Sequence, residues 1–216
     1  MAGSRVRQAH ANETRDFIVA TAERLFAEHG VAAVSNRQVS EAAGQANNFA
    51  VGYHFGTKTD LVLAIIRRQA PFIEQRRTDM LTAIQHSTDL RDWIACLVLP
   101  MTDHLASLGS PSWYARFIAQ ATTDPALRRL VTDETFAFPS MQKITEGVSR
   151  LLPVLPEDVR AERGDMCRHL IVHTCAERER ALQAGTPTPR ATWEAAGIGL
   201  VDALTGLWLA PYTPTP

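Results

Sequence analysis

Residues 35–58 read SNRQVSEAAGQANNFAVGYHFGTK, and this stretch decides the fold. Ser35 followed three positions later by Gln38 makes a capping box, in which hydroxyl and carboxamide each satisfy a backbone N–H left free at a helix start. The helix begun there ends at Gly44, and a second short helix is expected over 47–55. Val39, Ala42, Ala43, Val51 and Phe55 are available to pack the pair against each other and against a preceding helix. Two short helices joined by such a turn are helix-turn-helix geometry.

A unit of this kind inserts the N-terminal part of its second helix into the major groove of DNA, and that part here is Asn47, Asn48 and Phe49. Carboxamides pair with adenine edges or bond phosphates, and a phenyl ring can touch a thymine methyl. Tyr53 and His54, one turn later, are placed to reach the backbone. Lys58 is one of only two lysines in the chain and falls in the first turn of the next helix, where its charge opposes the dipole unless an anion is bound. With Thr57 as the cap, the pair reads as a phosphate clamp. Each residue also has a purely structural reading. Ser35 can be a cap alone, Arg37 can lie on a solvated face, Tyr53 and His54 can pack under the following helix, and Asn47 and Asn48 can simply make the turn.

Outward from this segment the whole chain reads as helical. Residues 1–12 are polar without a consistent stripe and are expected to be a flexible arm. A helix over 13–29 follows from Ile18, Ala22, Leu25 and Phe26 on one face, with Gly30 as its stop. Downstream, Thr57 caps a helix that carries the apolar run Leu61–Ile66, and Pro71 marks its end or a kink. Ser110-Pro111, Asp124-Pro125 and Thr188-Pro189 each put a capping residue before a proline at the first helical position. The resulting map has helices at 72–86, 89–106, 111–122, 125–151 with a break at Pro139, 157–184 and 190–209, and a proline-rich tail over 211–216.

Composition sets the limits on function. With 22 basic and 23 acidic residues the net charge is −1, so the chain does not coat nucleic acid indiscriminately and any DNA site must be local. Residues 1–70 hold eight basic against six acidic side chains and the remainder fourteen against seventeen, a sign that suits an N-terminal segment facing phosphate. Arg5 and Arg7 could reach a minor groove, or belong to a tail with no contact. The longest apolar run is far short of the ~20 residues a bilayer requires. The first twenty residues lack an apolar signal core, and the expected location is the cytoplasm. Cys96, Cys167 and Cys175 are too few and scattered for a disulfide scaffold or a zinc knuckle, and read as buried small hydrophobes.

Residues 14–66 resemble the DNA-binding domain of the TetR-type transcriptional regulators. The resemblance runs through Ala22-Glu23-Arg24-Leu25-Phe26, His29-Gly30, Ser35-x-Arg37-x-Val39-Ser40-x-x-Ala43-Gly44 and Tyr53-His54-Phe55-Gly56-Thr57-Lys58, with Leu61 beyond. The stretch from Gly44 to Tyr53 is one residue longer than the commonest spacing, and Gly52 stands where many members carry an aromatic residue. The resemblance implies a homodimer that binds a near-palindromic double-stranded operator and releases it when a small molecule occupies the C-terminal helices. By position it assigns phosphate and groove contacts to Ser35 and Arg37, and backbone contacts to Tyr53, His54 and Lys58.

The remaining helices are read accordingly. Ala196, Gly199, Ala203 and Gly206 form a small-residue stripe on the last helix, suited to close approach of a second copy or to tight packing within one chain. Trp93, Leu97, Met101, Trp113, Phe117, Phe136 and Met141 could wall a cavity for an apolar or aromatic effector, or simply fill a core. Asp165, His169, His173 and Glu177 share one helix face, spacing that suits an ion-pair ladder better than a metal site. No metal, cofactor, membrane contact or catalytic residue is expected. The fold class is all-α, with an arm at 1–12, a three-helix domain containing the helix-turn-helix at 13–58, a larger effector-binding and dimerisation domain at 59–210, and a tail at 211–216. The function expected is a ligand-released dimeric repressor. The alternative is an all-helical small-molecule-binding protein or hydrolase without a DNA role, which lacks a nucleophile elbow, phosphate loop or metal signature.

Overall fold

The computed structural model describes residues 2–45 and 49–214, with side chains from Ala11 onward. Among them are ten α-helices and no strand: α1 (Ala2–His29), α2 (Asn36–Ala42), α3 (Ala50–Phe55), α4 (Lys58–Ala83), α5 (Leu90–Leu108), α6 (Tyr114–Ala121), α7 (Pro125–Phe136), α8 (Pro139–Leu151), α9 (Glu157–Ala184) and α10 (Trp193–Leu209). The first core forms where apolar residues at helical spacing meet. Ile18, Val19, Ala22 and Phe26 of α1 close over Val39 of α2, Val51 of α3, and Leu61, Val62 and Ile65 of α4, all less than 5% exposed. Each large side chain so buried contributes about 1.5–3 kcal/mol. On that measure α3, which buries only Ala50 and Val51, is the least anchored of the four.

In the second core α5 packs against α4, α8 and α10, and α6 lies between α1 and α9. Phe26 of α1 stacks on Phe117 of α6 at 6.3 Å, so the two cores are continuous. Two glycines permit close approach to α5. A Cβ on Gly147 would lie 2.1 Å from the Trp93 ring, and one on Gly197 would lie 2.6 Å from the Thr102 hydroxyl.

Charged side chains from α9 cap the ends of its neighbours. The buried Glu179 carboxylate accepts from the backbone N–H groups of Ala115 and Arg116 (3.2 and 2.9 Å) and from the Ser112 hydroxyl (2.9 Å). Arg163 donates to the carbonyls of Trp208 and Ala210 at the end of α10, and Arg178 to those of Arg190 and Ala191 just before its start. An anion at the first turn of α6 and a cation at the last turn of α10 both suit the helix dipole.

Four local expectations are corrected. Residues 2–12 are helical rather than an arm, because α1 begins at Ala2. A helix already held by its buried 18–26 segment extends at little cost through residues without proline. Pro71 neither ends nor breaks α4, since buried Ile65, Ile66 and Gln69 before it and Ile73, Arg77 and Leu81 after it hold both halves to the core. The helix expected from Pro111 starts at Tyr114, with its cap supplied by Glu179. The helix expected from 190 starts at Trp193, capped by Thr192, while the Thr188 hydroxyl instead bonds the Arg190 carbonyl.

Candidate nucleic-acid interface

The interface is built on α2, α3 and the first turn of α4. Ser35 caps α2 as expected: its Oγ accepts from the Gln38 N–H at 3.2 Å, and the Gln38 Oε1 accepts from the Ser35 N–H at 2.8 Å. Arg37 stands on the exposed side of α2, its guanidinium paired with Glu41 at 2.8 Å. Gly44, just past the end of α2, lies in the left-handed region at φ +63°, which glycine adopts without Cβ strain.

Two aromatic side chains project from the start and middle of α3. Phe49 is 80% exposed and Tyr53 85%, while Ala50 and Val51 between them face inward. Both rings thus lie on the outer face of α3, opposite the buried Ala50 and Val51. The Tyr53 ring meets that of His54 edge-on at 5.0 Å. Phe55 is partly buried, and the Arg15 guanidinium of α1 lies over its ring at 5.1 Å. Asn47 and Asn48, expected at the tip of the reading helix, lie outside the described residues, and α3 is described from Ala50.

The first turn of α4 differs from a fully open anion cradle. Thr57 and Asp60 form a second capping box: the Thr57 hydroxyl accepts the Asp60 N–H at 3.1 Å, and the Asp60 carboxylate takes the Thr57 N–H at 3.0 Å. Bonds donated to the Asp60 carboxylate by the Thr57 hydroxyl (2.6 Å) and then by the Thr57 N–H hold that carboxyl below its usual range. Lys58 turns back to donate to the Val31 carbonyl at 3.0 Å and the Ala32 carbonyl at 3.5 Å, just beyond the end of α1. The ammonium therefore ties α4 to the connection between α1 and α2, on the side where the helix-turn-helix begins. Arg15, over the Phe55 ring, and Ser40, whose hydroxyl accepts the Val51 N–H, hold α3 in place, and periodicity alone did not single them out because one is a charge on α1 and the other a polar residue on a buried face.

The other candidate residues fall into different settings. Trp93, Phe117 and Met141 are buried in the core, Leu97, Met101 and Trp113 pack at its edge, and Phe136 is 46% exposed. An open recess of about 360 Å³ lies instead along Arg67, Pro71, Glu74 and Thr78 of α4, facing Phe138. On α10, Ala203 and Gly206 are exposed, Ala196 is half-buried, and Gly199 is covered by the Arg190 side chain. The α9 acids pair with neighbouring arginines, Asp165 with Arg168 at 3.0 Å and Glu177 with Arg180, while the His169 and His173 rings lie 5.9 Å apart. No cluster able to hold a metal ion occurs among the described residues, and no helix there is long and apolar enough to cross a membrane. The three cysteines are buried and unbonded, and burial pushes the Cys175 thiol up to about 12.

Residues 18–65 match the family described as bacterial regulatory proteins, tetR family. The match begins at Ile18, the first buried residue among the described side chains of α1, and ends within the apolar run of α4. No curated protein matches the chain.

Proposed function

We propose that the chain is a DNA-binding transcriptional regulator acting as a homodimeric repressor released by a small molecule, a reading supported by the match of residues 18–65 to the tetR family. The observation that carries the proposal is the outward pair Phe49 and Tyr53 on a helix whose opposite face, Ala50 and Val51, is buried against the rest of the motif. Such a helix presents aromatic and polar groups to a groove while its backbone stays fixed to the body. Ser35, Arg37, Asn47, Asn48, Phe49, Tyr53, His54, Thr57 and Lys58 are the proposed contact set, with double-stranded DNA as partner.

Two further features support the finer reading. Met166 and Leu170 of α9 and Ile198 and Leu209 of α10 are exposed apolar side chains, and with Ala203 and Gly206 they suit a second copy of the chain. Two reading helices held by such a dimer match a two-fold operator. The recess beside Phe138 lies on α4, the helix whose first turns fall within the matched segment and whose later turns belong to the body. An effector with an apolar or aromatic part, bound there, would bias α4 and hence the motif. Release follows only when the ligand favours the arrangement that cannot bind DNA.

Selection of duplexes from a random pool by the purified protein tests the proposal. An enriched inverted repeat, bound with strong salt dependence, is the expected result. Absence of any enriched duplex at low ionic strength, with the helical fold intact, would refute it.

A further inference from the structure

Among the described residues, α3 has no side-chain cap from its own N-cap position. Phe49 occupies the N-cap position of α3 and makes no capping bond through its side chain. The N–H of Val51 in the first turn of α3 is instead taken by the hydroxyl of Ser40, eleven residues earlier on α2, at 3.3 Å. Ser40 is fully buried. Its own O–H is committed to the Asn36 carbonyl one turn back at 3.1 Å, which leaves an oxygen lone pair for Val51. Its carbonyl meanwhile accepts the Gln45 N–H at 3.0 Å and so fixes the exit from α2. One residue thus holds the start of the turn and the start of the helix that follows it.

We propose that Ser40 is a specificity-positioning residue, setting the orientation of α3 in the groove without touching DNA. The proposal rests on the DNA-binding reading above. With only Ala50 and Val51 buried, α3 has few other restraints against rotation about its axis or sliding along α2. A small roll of a reading helix carries its outward side chains off their base edges, whereas phosphate contacts made by flanking elements persist. Removing the hydroxyl therefore reduces discrimination between sequences more than it reduces total affinity. It also removes the acceptor that Ser40 supplies to the Val51 N–H.

The test compares wild type with Ser40→Ala, Ser40→Cys and Ser40→Thr on two duplexes of equal length, one selected from a random pool by the wild type and one scrambled. Ser40→Ala is expected to lower the ratio of the two affinities about tenfold while the salt dependence on the scrambled duplex stays unchanged. Ser40→Thr, which keeps the hydroxyl, restores the ratio. Hydrogen exchange gives a second readout without DNA: the Val51 amide loses protection in Ser40→Ala while amides in the middle of α4 keep theirs. Ser40→Cys, close in size with a weak acceptor, gives the same pair of readouts if the alanine variant does not fold. An unchanged ratio in a folded variant, equal losses on both duplexes, or an unaffected Val51 amide would each overturn the assignment. A wild type that distinguishes no duplex from any other would instead overturn the DNA-binding reading itself.

Discussion

Glu179 shows how much a single buried charge holds in this fold. Its carboxylate is almost wholly enclosed, pairs with the Arg116 guanidinium at 3.2 Å, and accepts two backbone N–H bonds at the start of α6. Arg116 is itself buried and also donates to the Ser112 carbonyl and to Gln183. Truncation of one partner leaves the other as an uncompensated interior charge, at a typical cost of about 3–5 kcal/mol. Glu179→Ala is therefore expected to lower the urea unfolding free energy by an amount in that range, and a loss under ~1 kcal/mol would mean that water replaces the carboxylate at the α6 terminus. Residues of this sort were invisible in the sequence for a physical reason. Helical periodicity finds a buried face by its apolar members, so Ile18, Ala22 and Phe26 were legible, whereas Glu23, Ser40 and Glu179 sit on buried faces as polar residues whose partners come from other helices. Of the candidate interface, Ser35 and Thr57 were readable because each cap finds its partner three residues away. The carbonyls that receive Lys58 lie more than twenty-five residues upstream and could not be read from spacing.

Elements follow the same distinction between local and remote determinants. Helix starts fixed by their own residues, at Ser35, Thr57 and Asp124, fall where the sequence places them. The start of α6 does not, since its cap arrives from α9, and α4 persists through Pro71 because packing on both sides outweighs one missing N–H. Pairing of elements is decided by space that a single sequence does not display. Glycines at helix-interior positions look equivalent in the sequence, yet Gly147 lies under Trp93 and Gly206 meets nothing within 4 Å. Alanine at an exposed helical site gains about 1 kcal/mol in helix propensity over glycine, whereas a methyl forced into a filled core typically costs 1–3 kcal/mol or more. Gly147→Ala is accordingly expected to lower the melting temperature despite its better propensity, because the buried indole that faces α8 is rigid and has to move. A melting temperature equal to or above that of wild type would show that Trp93 can swing aside, and that α5 and α8 are less tightly fitted than their geometry indicates.

At the scale of the whole molecule, one chain of buried polar groups crosses the boundary between the matched segment and the body. Glu23 of α1 accepts from the Gln69 amide of α4 at 3.1 Å, and the Gln69 carbonyl meets His104 Nε2 of α5 at 3.0 Å. The other imidazole nitrogen is buried without a partner, under the stacked Phe72 ring and against Tyr114. Burial raises the Glu23 pKa, against the opposing effects of the Gln69 bond and Arg68, and burial lowers that of His104. The two groups bend the stability curve in opposite directions. An imidazole with a depressed folded pKa makes the unfolded chain bind more protons below the ordinary value of 6.5, so stability falls as acid is added until the folded pKa is passed. A carboxyl with a raised folded pKa keeps its proton in the fold above the ordinary 4.5, so stability falls as pH rises from there to the folded pKa. His104→Gln keeps a side chain able to bond Gln69 and removes only the first of these slopes. The exposed His169, whose pKa is also lowered, is common to both proteins and cancels in the comparison. Denaturant titrations at pH 7.5 and 5.5 should therefore show wild type losing more stability on acidification than His104→Gln. Equal losses would mean that His104 takes up its proton in the fold at the ordinary pH, so that water reaches it past Phe72 and the junction between α1, α4 and α5 is open rather than sealed.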